Sequence, residues 1–117
     1  MAEFLQSRGS RVTSIDIHPG ATIDFGVVLD HGTGIVIGET ATIGHDVYIL
    51  HGVTLGASSK REGERRHPRI GNNVLLGANA TVIGPIEVGD NCQIGADATV
   101  TKDVPENQII VGLNKRI

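Results

Sequence analysis

Large aliphatic residues return every six positions along most of this chain, at Ile17, Ile23 and Leu29, then Ile37, Ile43, Ile49 and Leu55, and again at Ile70, Leu76, Val82, Val88, Ile94 and Val100. A second series, mostly small or β-branched, falls four residues after each of these: Ala21, Val27, Thr33, Ala41, Val47, Val53, Val74, Ala80, Cys92, Ala98 and Val104. The position just after the large residue is often glycine, as at Gly38, Gly44, Gly56, Gly71, Gly77, Gly89 and Gly95. A period of six is neither the 3.6 of an amphipathic helix nor the 2 of an alternating strand. A short strand followed by a turn satisfies it. If each hexapeptide is one face of a triangular coil, both series point inward and glycine eases the corner. Three hexapeptides then close a coil of about 18 residues, and coils stack at about 4.8 Å, the ordinary strand spacing. The expectation is an all-β, parallel β-helix of about five coils over residues 15–111.

Two interruptions break the register. From Leu29 to Ile37 the step is eight residues, so residues 32–34 are expected to bulge at a corner; from Leu55 to Ile70 it is fifteen, which leaves residues 58–69 as one long protruding, exposed loop. Loops inserted into rigid scaffolds commonly carry function. Residues 1–14 form a short N-terminal segment, with 2–8 read as the end of a helix, and 112–117 form a C-terminal tail.

Composition agrees with a prism of strands. Aromatics are 3% of 117 residues, Trp is absent and there are 16 glycines, which suits stacked strands and tight turns better than packed helices. A formal net charge of −3 excludes a general nucleic-acid binder, so any anion site has to be local. The single cysteine, Cys92, allows no internal disulfide, occupies a small inward position, and points to a reducing cytoplasm. No stretch has the length or apolarity of a signal peptide or a membrane span.

The histidines then draw attention. His31 lies two places after Leu29 and His51 two places after Ile49, so they should stack on consecutive coils. Asp16 precedes His31 by 15 residues, close to one coil, and Asp30 adjoins it. An imidazole backed by a carboxylate is the minimum apparatus for deprotonating a hydroxyl, the carboxylate fixing tautomer and orientation. His67 sits beside Arg65, Arg66 and Arg69, a positive strip able to bind carboxylate or phosphate. A bland reading stands beside each: β-helix corners are polar in any case, and the loop charges could pair with one another in solvent.

The strings Asp16-Ile17-His18-Pro19, then Leu29-Asp30-His31-Gly32-Thr33-Gly34-Ile35-Val36-Ile37-Gly38-Glu39-Thr40, then Val53-Thr54-Leu55-Gly56 and Arg66-His67-Pro68 resemble the serine O-acetyltransferase family, over residues 7–112. The resemblance implies a left-handed β-helix that moves an acetyl group from acetyl-CoA to the hydroxyl of L-serine, the first step of cysteine biosynthesis. It implies His31 as general base with Asp16 as its orienting partner, Asp30 on the serine amino group, and Arg66 and His67 on the serine carboxylate. It implies direct transfer with no metal and no acyl-enzyme. The pantetheine arm is expected along Ala57, Ala78 and Ala96, with Lys115 or Arg116 toward the nucleotide phosphates. It further implies a homotrimer with sites at subunit boundaries and feedback inhibition by L-cysteine.

Two departures from the family pattern matter. These residues do not contain the helical domain that the family carries before the prism, which joins two trimers and lends an aspartate to serine binding. The end reads Gly112-Leu113-Asn114-Lys115-Arg116 in place of the family's Gly-x-Pro-Ala, and Ile117 gives little reach toward O-acetylserine sulfhydrylase. Three rival readings keep the prism: an O-acetyltransferase acting on a sugar or other small alcohol, a metal-dependent hydrase of the γ-carbonic anhydrase type, and a non-catalytic trimeric CoA-binding scaffold. Arg66 and His67 favour an acceptor with a carboxylate.

Overall fold

A computed structural model describes residues 15–30, 33–58, 65–113 and 115–116. The segment 1–14 with its expected helix, His31, and loop residues 59–64 lie outside the described residues. Short strands wind around a three-sided prism. Face A holds β1 (Asp16–Ile17), β4 (Val36–Ile37), β7 (Thr54–Gly56), β10 (Thr81–Ile83) and β13 (Thr99–Val100). Face B holds β2 (Thr22–Ile23), β5 (Thr42–Ile43), β8 (Arg69–Ile70) and β11 (Glu87–Val88), and is continued by a Val88–Val104 bridge. Face C holds β3 (Val28–Leu29), β6 (Tyr48–Ile49), β9 (Leu75–Leu76), β12 (Gln93–Ile94) and β14 (Ile109–Val111). The chain visits A, B and C in turn, and each strand pairs in parallel with the strand one coil away on the same face, as in Ile17↔Ile37↔Leu55. This is the left-handed parallel β-helix, five coils high.

Within each two-residue strand the first side chain faces out and the second in, the ordinary alternation of a strand. The inward column is sealed: Ile49, Leu55, Leu76, Val82, Ile94 and Val100 are each 0% exposed. Burying one such side chain stabilises the fold by roughly 1.5–3 kcal/mol. Cys92 belongs to this interior and its thiol donates to the Pro105 carbonyl at 3.0 Å.

Three expectations are corrected. Thr33 does not fill an inward position: it is exposed, and Ile35 is buried in its place. The eight-residue step is two longer than one repeat, and the inward slot that aligns with Val53 passes to Ile35. The glycines just after the large residues do not take left-handed backbone; that conformation falls to Asp46, Asn73, Asn79, Asn91, Asp97 and Asn107, all at φ near +60°, and to other glycines, Gly26, Gly34, Gly52, Gly84 and Gly112. Such conformations cost Asn and Asp less than most residues. Gly77 is there because a Cβ would lie 2.7 Å from the Ala96 nitrogen of the next coil. Finally, the loop does not stay exposed to residue 69. His67 and Pro68 are buried, and Arg69 already opens β8. At the other end β15 (Lys115–Arg116) turns back and pairs antiparallel with β14, so the expected tail is part of the sheet.

Candidate active site

Residues two places beyond an inward aliphatic stand at corners and stack into columns along the prism edges. The edge from face C to face A carries His51, Ala78 and Ala96, tied by Asn79 N–H to the His51 carbonyl and Asp97 N–H to the Ala78 carbonyl, both 2.8 Å. His31 has the same offset in sequence. Its neighbours are fixed: Asp30 N–H donates to the Ile49 carbonyl at 2.8 Å, and the Thr33 carbonyl accepts from Gly52 at 2.7 Å. Asp16 faces outward on β1, its N–H bonded to the Ile35 carbonyl at 2.8 Å. It therefore stands one coil from Val36 on the same face. Asp30 is partly buried and accepts a hydrogen bond from Tyr48, which, with burial and the same negative charge, pushes the Tyr48 phenol up. Tyr48 has no periodic signal to mark it, since outward strand positions accept any residue.

The edge from face A to face B carries Glu39 and Ala57, and here the loop returns. Thr40 organises that return. Its hydroxyl oxygen accepts the backbone N–H of Arg66 and of His67, each at 2.9 Å, and lies 2.8 Å from His67 Nδ1. The Thr40 N–H also donates to Nδ1, at 3.1 Å. The His67 ring lies over Gly38, where any Cβ would overlap it. Burial, then the adjacent Arg66 charge and His18, hold His67 below the ordinary imidazole range, with Glu39 opposing. The expected positive strip therefore divides. His67 is 8% exposed and favoured neutral, while Arg66 supplies the charge and pairs with Glu39 at 2.7 Å. That pair holds the Glu39 carboxyl below its usual range, the hydrogen bond contributing more than the charge. Arg65 serves the fold by donating to the Pro85 carbonyl at 3.1 Å, and Arg69 turns out on face B to Glu87 at 3.1 Å.

The described site residues thus bound opposite sides of face A: Asp30 on one edge, Arg66 and His67 on the other. Face A is about five residues wide, or ~16 Å at the rise of a strand. The three alanines divide likewise, with Ala78 and Ala96 on the first edge and Ala57 on the second. Lys115 and Arg116 are placed by their backbone beside β14. Among the described residues no three His, Cys, Asp or Glu side chains are grouped to hold a metal ion, and no helix is long and apolar enough to cross a membrane.

Prism, period and edge columns together define a hexapeptide-repeat β-helix protein. Family models agree: one described as bacterial transferase hexapeptide (six repeats) matches residues 67–102, and one described as hexapeptide repeat of succinyl-transferase matches residues 34–60. Within that class the chain belongs to the serine acetyltransferase family. It is 54% identical over 112 residues to serine acetyltransferase 2 of Arabidopsis thaliana, covering 96% of this chain and 34% of that protein. The crystal structure of Neisseria gonorrhoeae serine acetyltransferase in complex with serine superposes with a TM-score of 0.83 at 52% identity, covering 96% of this chain and 45% of that one. Serine acetyltransferase from Brucella abortus in complex with coenzyme A gives 0.88 at 47% identity, covering 99% and 46%. The chain spans about a third to a half of the length of these relatives.

Proposed function

We propose that this domain, residues 15–111, transfers the acetyl group of acetyl-CoA to the hydroxyl of L-serine, releasing O-acetyl-L-serine and CoA as the first step of cysteine biosynthesis. The observation that carries the reading is the Thr40–His67–Arg66 arrangement on the A-to-B edge, a fixed donor beside a cation, which suits an acceptor bearing a carboxylate. His31 acts as general base. It takes the serine hydroxyl proton while the oxygen attacks the thioester carbonyl; the tetrahedral centre collapses, the C–S bond breaks, and the proton passes to the departing thiolate. A thiol with an ordinary pKa of about 8.5 leaves readily, so no acyl-enzyme is needed. Asp16 orients the imidazole from the neighbouring coil. Asp30, held by Tyr48, takes the serine ammonium, and Arg66 with His67 takes the carboxylate. Ala57, Ala78 and Ala96 leave room for the pantetheine arm, and Lys115 and Arg116 meet the nucleotide phosphates.

A single chain leaves ~16 Å between its two edges, more than a free amino acid spans, so the edges that clasp one serine come from different subunits of a homotrimer. The outward residues of face C support such packing: Val28, Tyr48 and Ile109 are between 41% and 47% exposed, with Gln93 set into the same column beside Ile109. L-Cysteine presents the same ammonium and carboxylate and competes for the serine pocket. A lone reduced thiol at Cys92 suits the cytoplasm. The test is thiol release from acetyl-CoA in the presence of serine, comparing wild type with His31→Ala. A loss of about two to four orders of magnitude is expected, the range for a general base. A variant at wild-type speed removes His31 from the mechanism.

A further inference from the structure

The contacts of Thr40 decide which nitrogen of His67 carries a proton. A threonine hydroxyl has two lone pairs and one hydrogen. Both lone pairs are used, by the N–H groups of Arg66 and His67 at 2.9 Å each. The hydroxyl therefore reaches His67 Nδ1, 2.8 Å away, only as a donor, and the Thr40 N–H points at the same nitrogen from 3.1 Å. A nitrogen facing two donors has to be bare.

We propose that Thr40 is a positioning residue that locks His67 as the neutral Nε2–H tautomer, so that His67 meets an acceptor carboxylate as a hydrogen-bond donor and Arg66 alone supplies the charge. The part about the carboxylate rests on the proposed serine reading; the lock itself does not. Adding a proton at Nδ1 would turn one donor contact into a clash and force the hydroxyl to release a backbone N–H, so the cation is disfavoured by geometry. The charged and titratable groups around the ring act in the same net direction: Arg66 and His18 oppose a second positive charge, and Glu39, already committed to Arg66, only partly offsets them. Gly38 completes the device, because the ring needs the space that a Cβ would take. No described residue takes the Nε2 proton, and His67 as a whole keeps 8% of its surface open, which leaves that proton for a ligand oxygen.

The test uses the whole chain labelled with 15N, with long-range proton–nitrogen correlation of the imidazoles of wild type, Thr40→Val and Thr40→Ser across a pH titration, beside serine kinetics. In the wild type, His67 should show a bare Nδ1 and a protonated Nε2, with a midpoint below that of a free imidazole. Thr40→Val should raise the midpoint and raise the KM for serine about tenfold, as the ring loses the hydroxyl that orients it, with kcat changed far less. Thr40→Ser should restore both. A wild-type ring protonated at Nδ1 near neutral pH overturns the proposal even if Thr40→Val does not fold. So does a Thr40→Val spectrum identical to wild type. A locked wild-type imidazole in a chain that neither binds nor acetylates serine supports the lock and sinks the serine reading instead.

Discussion

Arg66 and Glu39 meet at 2.7 Å on the A-to-B edge, and the arginine is the more enclosed of the two, with 21% of its side chain exposed against 48%. The loop that carries Arg66 is thereby pinned to coil two by a charge as well as by Thr40. An arginine fork has five N–H donors, and Glu39 engages the Nη2 arm, so the rest of the fork stays directed by the pair. Glu39→Ala should loosen the hold on the guanidinium and raise the KM for serine about three- to tenfold, an effect in the range of one exposed, charge-assisted contact. Steady-state kinetics at fixed acetyl-CoA measures it. An unchanged KM would mean that Glu39 is only a surface partner.

His67 makes stability depend on pH with a definite sign. Its folded pKa lies below the ordinary 6.5, so between the two values the unfolded chain binds the proton more readily than the folded one. The stabilisation is fully present above pH 6.5 and is lost as the pH falls through the folded pKa, where the drop ends. Thermal unfolding midpoints of the wild type should therefore fall more steeply below pH 6.5 than those of His67→Gln. Parallel curves for the two proteins would place the imidazole outside this linkage.

Gly38 tests the ring's seat separately from its hydrogen bonds. Its backbone is not left-handed, so alanine meets no conformational penalty there and the only consequence is overlap with the His67 ring. Gly38→Ala should keep the circular dichroism of a β-helix, lower stability by about 1–3 kcal/mol through overpacking, and raise the KM for serine at least as much as Thr40→Val. Kinetics matching wild type would show that the ring can occupy a second position without cost.

The prism was legible in the sequence because its rule is local: one large aliphatic in six has to point inward, and every coil repeats the demand. The same rule misplaces Thr33, since an eight-residue step can hand the inward slot to either of two residues and only the alignment with Val53 chooses Ile35. The corner glycines misled for a different reason. Spacing shows that a side chain is unwelcome at Gly77, but not whether the objection is conformation or the Ala96 backbone above it. At the site, His31, Asp16, Asp30, Arg66 and His67 all stand out by residue type. Thr40, Glu39 and Tyr48 do not, because each acts on a partner 18 to 27 residues away, across a coil or across the loop. Denaturation separates the two candidates for the inward slot. Ile35→Ala should cost about 2–5 kcal/mol, whereas Thr33→Ala should stay within about 0.5 kcal/mol. Equal urea midpoints for the two variants would return the slot to an open question.

The division of the site between two edges yields the strongest test of the assembly. If one serine is held by the His31 edge of one subunit and the Arg66 edge of its neighbour, His31→Ala and Arg66→Ala damage different halves of each site. Each variant alone spoils all three sites of a trimer. Mixed in equal amounts, unfolded and refolded together, the two chains distribute at random, and a site regains both intact edges when a chain with a sound His31 sits beside one with a sound Arg66. That happens for about one boundary in four in a closed ring with one orientation of contact. Thiol-release activity should therefore return to about a quarter of the wild-type level per site, from variants that are each nearly inactive. Activity no higher than the mean of the two separate variants would mean that both edges serve the same chain, and the ~16 Å width of face A would then have to be bridged within one subunit.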